Sequence, residues 1–277
     1  MKLTFLPALS LAIGIVDAQG GSTGGTGPYS SYYYQERDLP NHTIYQPKNP
    51  AGLKLPVIAW ANGGCSTDGT SFSRFLTEVT SYGAIAIAVG KPGRGGKRRQ
   101  MAVYPERQKA AIDWITKVAG KGNYSHVDAS RIAVWGQSCG GVESYYNAFD
   151  ERVSSIGIFN SGQLTPNEST TVAGKVTKPI FYFLGGPSDV AYPNGERDYT
   201  VLPKSTPSWI GNHALGHGAD FNKANAGLIG VAGTRYMQWL LRGNTTAAAW
   251  FTNGDALKAG FVDQKSQNLG AIDVKPI

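Results

Sequence analysis

The sequence predicts an α/β fold in which a mostly parallel central sheet is covered by helices on both faces. Short β-rich apolar runs bounded by Gly or Pro alternate along the chain with segments whose apolar residues recur at helical spacing. Strands separated by single helices are typical of parallel sheets. The 277 residues, 41% of them hydrophobic, suffice for one large domain and exclude disorder, and no fixed period indicates a repeat array.

The first elements are justified by composition and spacing. Residues 43–45 predict a short strand, and the apolar runs at 55–61 (LPVIAWA) and 84–89 (AIAIAV) predict two buried strands. Between these runs, apolar residues at helical spacing predict a helix over 70–81.

The later elements follow by the same criteria. Residues 153–159 are mostly apolar and fit the alternation of strands and helices along the chain. The other predicted elements are helices over 104–118, 140–149 and about 226–241, and strands over 131–135 and 179–184.

Three consecutive tyrosines, Tyr32, Tyr33 and Tyr34, admit two interpretations. They could form an aromatic strip that contacts carbohydrate, or an edge segment that packs onto the sheet, and the second is favoured.

The N-terminus has the features of a secretory signal. Lys2 precedes an apolar stretch, and Ala18 provides the small residue that a signal peptidase needs at its cleavage site. These features predict a signal peptide over 1–18. A flexible Gly-rich tail over 19–28 and one domain over 29–277 are expected to follow. The apolar stretch is too short to span a bilayer, so the mature protein is expected to be secreted, without a membrane span. Four glycosylation sequons fit this route: Asn41, Asn123, Asn167 and Asn244.

The net charge of +7 is concentrated in one loop, residues 91–99, which contains Lys91, Arg94, Lys97, Arg98 and Arg99. No nucleic-acid motif accompanies it, so nucleic acid is not an expected partner. Because the loop follows the carboxyl end of a predicted strand, one hypothesis is that it attracts an anionic substrate or polymer. The alternative is a solvated basic loop.

A Gly136-Gln137-Ser138-Cys139-Gly140 motif follows the strand at 131–135 and precedes a helix. The glycines permit a tight turn that lifts Ser138 clear of the sheet beside a helix N-terminus. This context predicts that Ser138 is a nucleophile.

A serine nucleophile needs a histidine base and an acid that orients the histidine. In this architecture the chain order is Ser, acid, His, so only the two histidines after Ser138 remain as candidates for the base. His217 is preferred to His213, because the glycines on both sides of His217 would let its ring reach the serine. Asp189 follows the strand at 179–184 and is the candidate acid. Its rivals are Asp198 and Asp220.

Backbone N–H groups are expected to stabilise an oxyanion. Cys139 follows the nucleophile, and the loop after the strand at 55–61 offers Cys65, with Gly64 as second choice. If Cys65 and Cys139 both donate their N–H groups to one oxygen, their Cα atoms lie within the separation that a disulfide requires. A secreted protein is also expected to form disulfides. The only two cysteines, Cys65 and Cys139, are therefore predicted to be bonded.

With strand-NGGC, GQSCGG, GGPSD and GHG in this order, the chain resembles the α/β-hydrolase superfamily, over about residues 45–251. The branch it resembles comprises secreted lidless serine esterases, cutinase-type and polyester hydrolases and their dienelactone-hydrolase-like fungal relatives. The resemblance implies an α/β-hydrolase fold with no lid domain, the triad Ser138, Asp189 and His217, and the oxyanion donors Cys65 and Cys139.

The chain departs from this branch at positions that contact the acyl group. Polyester hydrolases usually have an aromatic residue at the position of Cys65 and Met at that of Cys139. They also place a Trp in the loop before the Asp strand, whereas residues 160–178 contain no aromatic residue. These differences argue against polyesters and cutin as substrates but not against ester hydrolysis.

The favoured function is a secreted serine hydrolase that cleaves carboxylic esters, small or polymer-borne, through an acyl-enzyme. The alternatives are a peptidase or amidase with the same triad, and a catalytically silent binding protein of this fold. Tyr192 and Trp209 neighbour the triad loops and are candidates for the substrate pocket. No cofactor or metal is expected, because no ligand spacing occurs, and a monomer is expected.

Overall fold

The computed structural model describes residues 24–93 and 102–277. Within them nine strands form one sheet in the order β1-β2-β4-β3-β5-β6-β7-β8-β9. The strands are β1 (Ser31–Tyr34), β2 (His42–Pro47), β3 (Leu55–Ala61), β4 (Ile85–Val89), β5 (Val127–Gln137), β6 (Val153–Phe159), β7 (Ile180–Leu184), β8 (Ser208–Asn212) and β9 (Val262–Gln267). The six strands from β4 to β8 in the sheet run parallel, whereas the pairs β1–β2 and β2–β4 at one edge and β8–β9 at the other are antiparallel.

Helices cover both faces of this sheet. They are α1 (Ser73–Thr80), α2 (Pro105–Val118), α3 (Cys139–Asn147), α4 (Pro166–Thr171), α5 (Tyr192–Val201), α6 (Gly227–Leu240), α7 (Thr245–Thr252) and α8 (Asp255–Ala259). The prediction of an α/β fold with a mostly parallel, helix-covered sheet is confirmed.

Two apolar cores, one on each face, explain why the strands read as continuous apolar runs. Ile58 and Trp60 of β3 belong to the core that contains residues of α1, α6 and α7, while Val57 and Ala59 belong to the core that contains residues of α2 and α3. Successive side chains of a strand point to opposite faces, so a strand buried on both faces has no polar positions.

The predicted elements between residues 43 and 241 are all present, with boundaries shifted by up to four residues. The edge-segment interpretation of the tyrosines is confirmed, because β1 pairs antiparallel with β2. The sequence did not predict the strands β8 and β9 or the helices α4, α5, α7 and α8. β9 is a polar, largely exposed edge strand whose extended form depends on pairing with β8, so it has no apolar pattern.

The N-terminal tail differs from the flexible segment expected over 19–28 in the part that is described. The N–H groups of Thr26 and Gly27 donate to Glu78 Oε2 at 2.8 Å and Ser81 Oγ at 2.9 Å, both on or just after α1. A Cβ on Gly27 would overlap the carbonyl of Ser81. Here glycine allows the chain to approach the end of a helix closely. The Gly-rich composition of the tail, taken alone, indicated flexibility instead.

Some sequence predictions lie outside the described residues. These are the signal peptide over 1–18, the tail before residue 24, and the basic side chains of Arg94, Lys97, Arg98 and Arg99. Among residues 24–93 and 102–277, no helix is long and apolar enough to cross a membrane.

Candidate active site

Ser138 occupies a sharp turn between the end of β5 and the start of α3. Its backbone has φ 53° and ψ −118°, a conformation that L-residues rarely adopt. The neighbouring glycines make the turn possible, since a Cβ on Gly136 would overlap the carbonyl of Gly140, and a Cβ on Gly140 would overlap the carbonyl of Ala61. The turn holds the Ser138 side chain at the carboxyl edge of the parallel strands.

The structure brings the three side chains of the predicted triad into one hydrogen-bonded chain. His217 Nε2 lies 2.9 Å from Ser138 Oγ, and His217 Nδ1 lies 2.6 Å from Asp189 Oδ1. Asp189 follows β7 and is buried, whereas the His217 ring, on the loop after β8, is 35% exposed. This arrangement lets the imidazole accept the Ser138 proton while Asp189 fixes the Nδ1–H tautomer.

Asp189 is held as an anion by four donors. Oδ1 accepts from His217 Nδ1 and from the Ala191 N–H at 2.9 Å, and Oδ2 accepts from Asn160 Nδ2 at 2.9 Å and the Gly185 N–H at 3.1 Å. Burial by itself would raise the pKa of Asp189, but these hydrogen bonds outweigh it and keep the pKa below its ordinary value. The carboxylate is therefore charged when the imidazole becomes protonated.

The rival acids serve other contacts. Asp198 is buried on α5, where it accepts hydrogen bonds from Tyr145 at 2.7 Å and from the Gln163 N–H at 2.6 Å. Asp220 forms an ion pair with Lys223 at 2.8 Å. Neither carboxylate is bonded to His217.

His213, the rival base, is buried near Asp189 rather than beside the serine. Its Nδ1 accepts from the Leu215 N–H at 3.2 Å, and its ring lies edge-on to Phe261. Burial lowers the pKa of His213 to about 4 despite the nearby carboxylates of Asp189 and Asp220, so the ring is neutral at neutral pH.

Sequence reasoning missed two side chains that hold the triad. Asn160 Nδ2, besides its bond to Asp189, donates to the carbonyl of Gly216 at 3.0 Å, and Gln137 Nε2 donates to the carbonyl of His217 at 3.0 Å. Together they tie the histidine loop to the ends of β5 and β6. A signal was available for Asn160, which directly follows β6 at the edge where parallel sheets place their reacting groups.

The two cysteines form the predicted disulfide, with a Cα–Cα distance of 5.3 Å. It links the short 3₁₀ turn Gly63–Cys65 after β3 to the first residue of α3. The Cys139 N–H begins that helix and therefore has no partner within it. The bond therefore holds Cys65 beside Cys139, the residue that directly follows Ser138.

The two pocket candidates differ in position. Tyr192 begins α5 three residues after Asp189 and is half buried, so it remains a candidate. Trp209 does not line the cleft, because it is 1% exposed in β8 and packs against Phe181, Phe183 and Phe251 in the core. Strand alternation turned this side chain to the covered face of the sheet, which proximity in sequence to His217 could not show.

The described residues contain no cluster of three or more His, Cys, Asp or Glu side chains arranged to hold a metal ion. The four sequon asparagines, Asn41, Asn123, Asn167 and Asn244, are all exposed. No protein-family model matches the chain, and no curated protein is significantly similar to it.

Proposed function

We propose that this protein is a secreted serine hydrolase that cleaves carboxylic esters through an acyl-enzyme intermediate. The observation that supports this most directly is the continuous hydrogen-bonded chain from Ser138 through His217 to Asp189 at the turn between β5 and α3. Chance proximity would not also produce the positive φ at Ser138, which costs conformational energy and is typical of functional positions.

In the proposed reaction, Ser138 Oγ attacks the ester carbonyl while His217 Nε2 takes its proton. The Oγ–carbon bond forms and the carbonyl electron pair moves to oxygen, where the N–H groups of Cys65 and Cys139 would stabilise the negative charge. His217 then protonates the departing alcohol, and the carbon–alcohol bond breaks. Water hydrolyses the acyl-enzyme by the same steps, with His217 again acting first as base and then as acid.

The disulfide suits this proposal because it constrains the two residues whose N–H groups are expected to converge. Asp189, kept charged by its four donors, would stabilise the imidazolium. A preorganised donor pair contributes most when it does not have to reorganise during the reaction.

The test compares the wild type with Ser138→Ala. The wild type should react covalently with a fluorophosphonate and hydrolyse 4-nitrophenyl esters, and the variant should do neither, while both have the same circular dichroism spectrum. The preferred acyl length would separate a small-acyl esterase from an enzyme that acts on long acyl groups. Equal turnover by the variant, or no labelling of a folded wild type, would refute the proposal.

A further inference from the structure

A cavity lies at the carboxyl edge of the sheet, away from the triad. It has a volume of about 360 Å³, within the size range of small-molecule sites. It is lined by Asn41, His42, Thr67, Val89, Gly90, Lys91 and Arg107. Two of these side chains are cationic, and none is acidic.

The positive charge of this cavity is not neutralised by ion pairing within the described chain. Neither Lys91 nor Arg107 forms an ion pair with another residue in 24–93 or 102–277. The Glu143 carboxyl near Arg107 is buried, which raises its pKa to about 7, so at neutral pH it is only partly charged. The Asp68 carboxylate accepts hydrogen bonds at Oδ1 from the Thr70 N–H, the Thr70 hydroxyl and the Gly93 N–H, and it forms no ion pair with Lys91 or Arg107.

His42 bonds to the backbone of α2 at Arg107 rather than adding a charge to the cavity. The ring is buried, which lowers its pKa, and Nε2 donates to the carbonyl of Arg107 at 2.8 Å. The Arg107 guanidinium in turn stacks over the Tyr104 ring, 4.1 Å from its centroid. A cation held in this way loses little side-chain freedom when it binds an anion.

The walls of the cavity belong to the same loop as the expected oxyanion donor. Thr67 lies two residues after Cys65, and Asn62 Nδ2 donates to the carbonyls of Val89 at 2.6 Å, Ser66 at 3.1 Å and Asp68 at 3.2 Å. The end of β4 is thereby joined to this loop. Only β3 separates β4 from β5, so the ends of these two strands lie about 10 Å apart, two strand spacings.

We propose that this cavity is a subsite for a carboxylate group of the ester substrate, bound by Lys91 and Arg107 at the end of β4, two strands from the strand that precedes Ser138. The assignment rests on the proposed hydrolase function and adds the class of substrate, an ester whose acyl or alcohol portion is an organic acid. The side-chain hydroxyl of Thr67 suits a remaining polar group of a hydroxy acid or sugar acid.

The first experiment measures binding in the absence of chemistry. Glucuronate and glucose, which differ at one carbon by carboxylate against hydroxymethyl, are titrated calorimetrically into the Ser138→Ala variant. The same titration is repeated after adding Lys91→Gln or Arg107→Gln. The matched control is Lys204→Gln, which removes an equal charge from an exposed site near the opposite, amino end of β8.

Glucuronate should bind saturably and at least about tenfold more tightly than glucose, and each cavity substitution should weaken it by about tenfold, the usual effect of one charge-assisted hydrogen bond. The control should leave binding unchanged. Equal binding of the two sugars, or equal effects of all three substitutions, would overturn the subsite. Inorganic phosphate binding where glucuronate does not would overturn its assignment to carboxylates.

The second experiment connects the subsite to turnover. Two series of substrates are compared. In the first, 4-nitrophenyl hemiesters of dicarboxylic acids of increasing length, the carboxylate is in the acyl portion; in the second, acetate esters of hydroxy acids of the same lengths, it is in the alcohol portion. Each anionic substrate is assayed beside its neutral methyl-ester analogue. The ratio of anionic to neutral kcat/KM should peak at one length in one series and fall about tenfold in Lys91→Gln.

The two experiments separate the possible failures. Hydrolysis of neutral esters with no anionic preference at any length in either series overturns the subsite and leaves the hydrolase proposal standing. Glucuronate binding without hydrolysis of any ester refutes the hydrolase proposal while retaining the anion site.

Discussion

Removal of the disulfide by the double substitution Cys65→Ser and Cys139→Ser tests both its structural and its proposed catalytic role. The bond closes a loop of 74 residues. In the chain-entropy model, a cross-link across a loop of that length stabilises the folded state by about 4.5 kcal/mol at 25 °C. For a chain of 277 residues, with an unfolding entropy of about 2.1 cal/mol/K per residue, the loss corresponds to a fall in Tm of roughly 8 °C.

The double variant is also expected to lose activity while it is still folded. The bond holds the Cα atoms of Cys65 and Cys139 5.3 Å apart, across the turn at Ser138. Without it, the two N–H groups proposed to stabilise the oxyanion can separate. Removing one such donor from an enzyme costs about 10²- to 10³-fold in kcat, so partial misplacement should cost about tenfold or more.

The assays are thermal unfolding followed by circular dichroism, and kcat for 4-nitrophenyl acetate at a temperature well below both transitions. A Tm that does not change would refute the loop-entropy argument. A lower Tm with unchanged kcat would show that the polypeptide holds both donors without the bond, and that the bond serves stability alone. The single variants Cys65→Ser and Cys139→Ser should resemble the double variant, since each removes the same cross-link.

Three further changes are predicted. Asn160→Ala should lower kcat/KM by about tenfold to a hundredfold, because Asp189 loses one of its four donors and the histidine loop loses its bond at Gly216; an unchanged kcat/KM would contradict this role. Wild-type unfolding free energy, measured in urea, should fall by about 3 kcal/mol between pH 6.5 and pH 4 through His213 alone, because the unfolded state, with its ordinary pKa of 6.5, binds the proton first. This contribution should disappear in His213→Asn, and equal slopes in the two proteins would exclude it. Gly140→Ala should destabilise the fold by several kcal/mol or prevent folding, since its Cβ would overlap the carbonyl of Ala61, whereas Gly270→Ala, in open space, should be neutral in the same urea titrations.

The sequence was sufficient for the parallel sheet and for the order of most of its elements. Parallel strands buried on both faces consist of short runs of apolar residues, and this pattern depends only on neighbouring positions in the chain. The turn at Ser138 was equally accessible, because the glycines that it requires lie within two residues of the serine. Chain order then narrowed the partners to His217 or His213 and to Asp189 or its rivals.

The choice among those partners came from the tertiary structure. Asp198 and Asp189 both follow β7 in the chain, but only Asp189 is bonded to His217, because the adjacent parallel strands β7 and β8 bring the loops that follow them together. The same packing brought Asn160 and Gln137 against the histidine loop, turned Trp209 into the core, and held the described part of the N-terminal tail on α1.

The sequence by itself therefore determined what depends on local pattern: most of the buried parallel strands, the helices between them, the strained turn and the short list of reactive side chains. Only the tertiary structure decided which distant groups meet. The physical reason is that a hydrogen bond such as that between His217 and Ser138 joins positions 79 residues apart. Its existence depends on strand order and loop geometry, which are set by the packing of the whole domain rather than by the residues on either side of the bond.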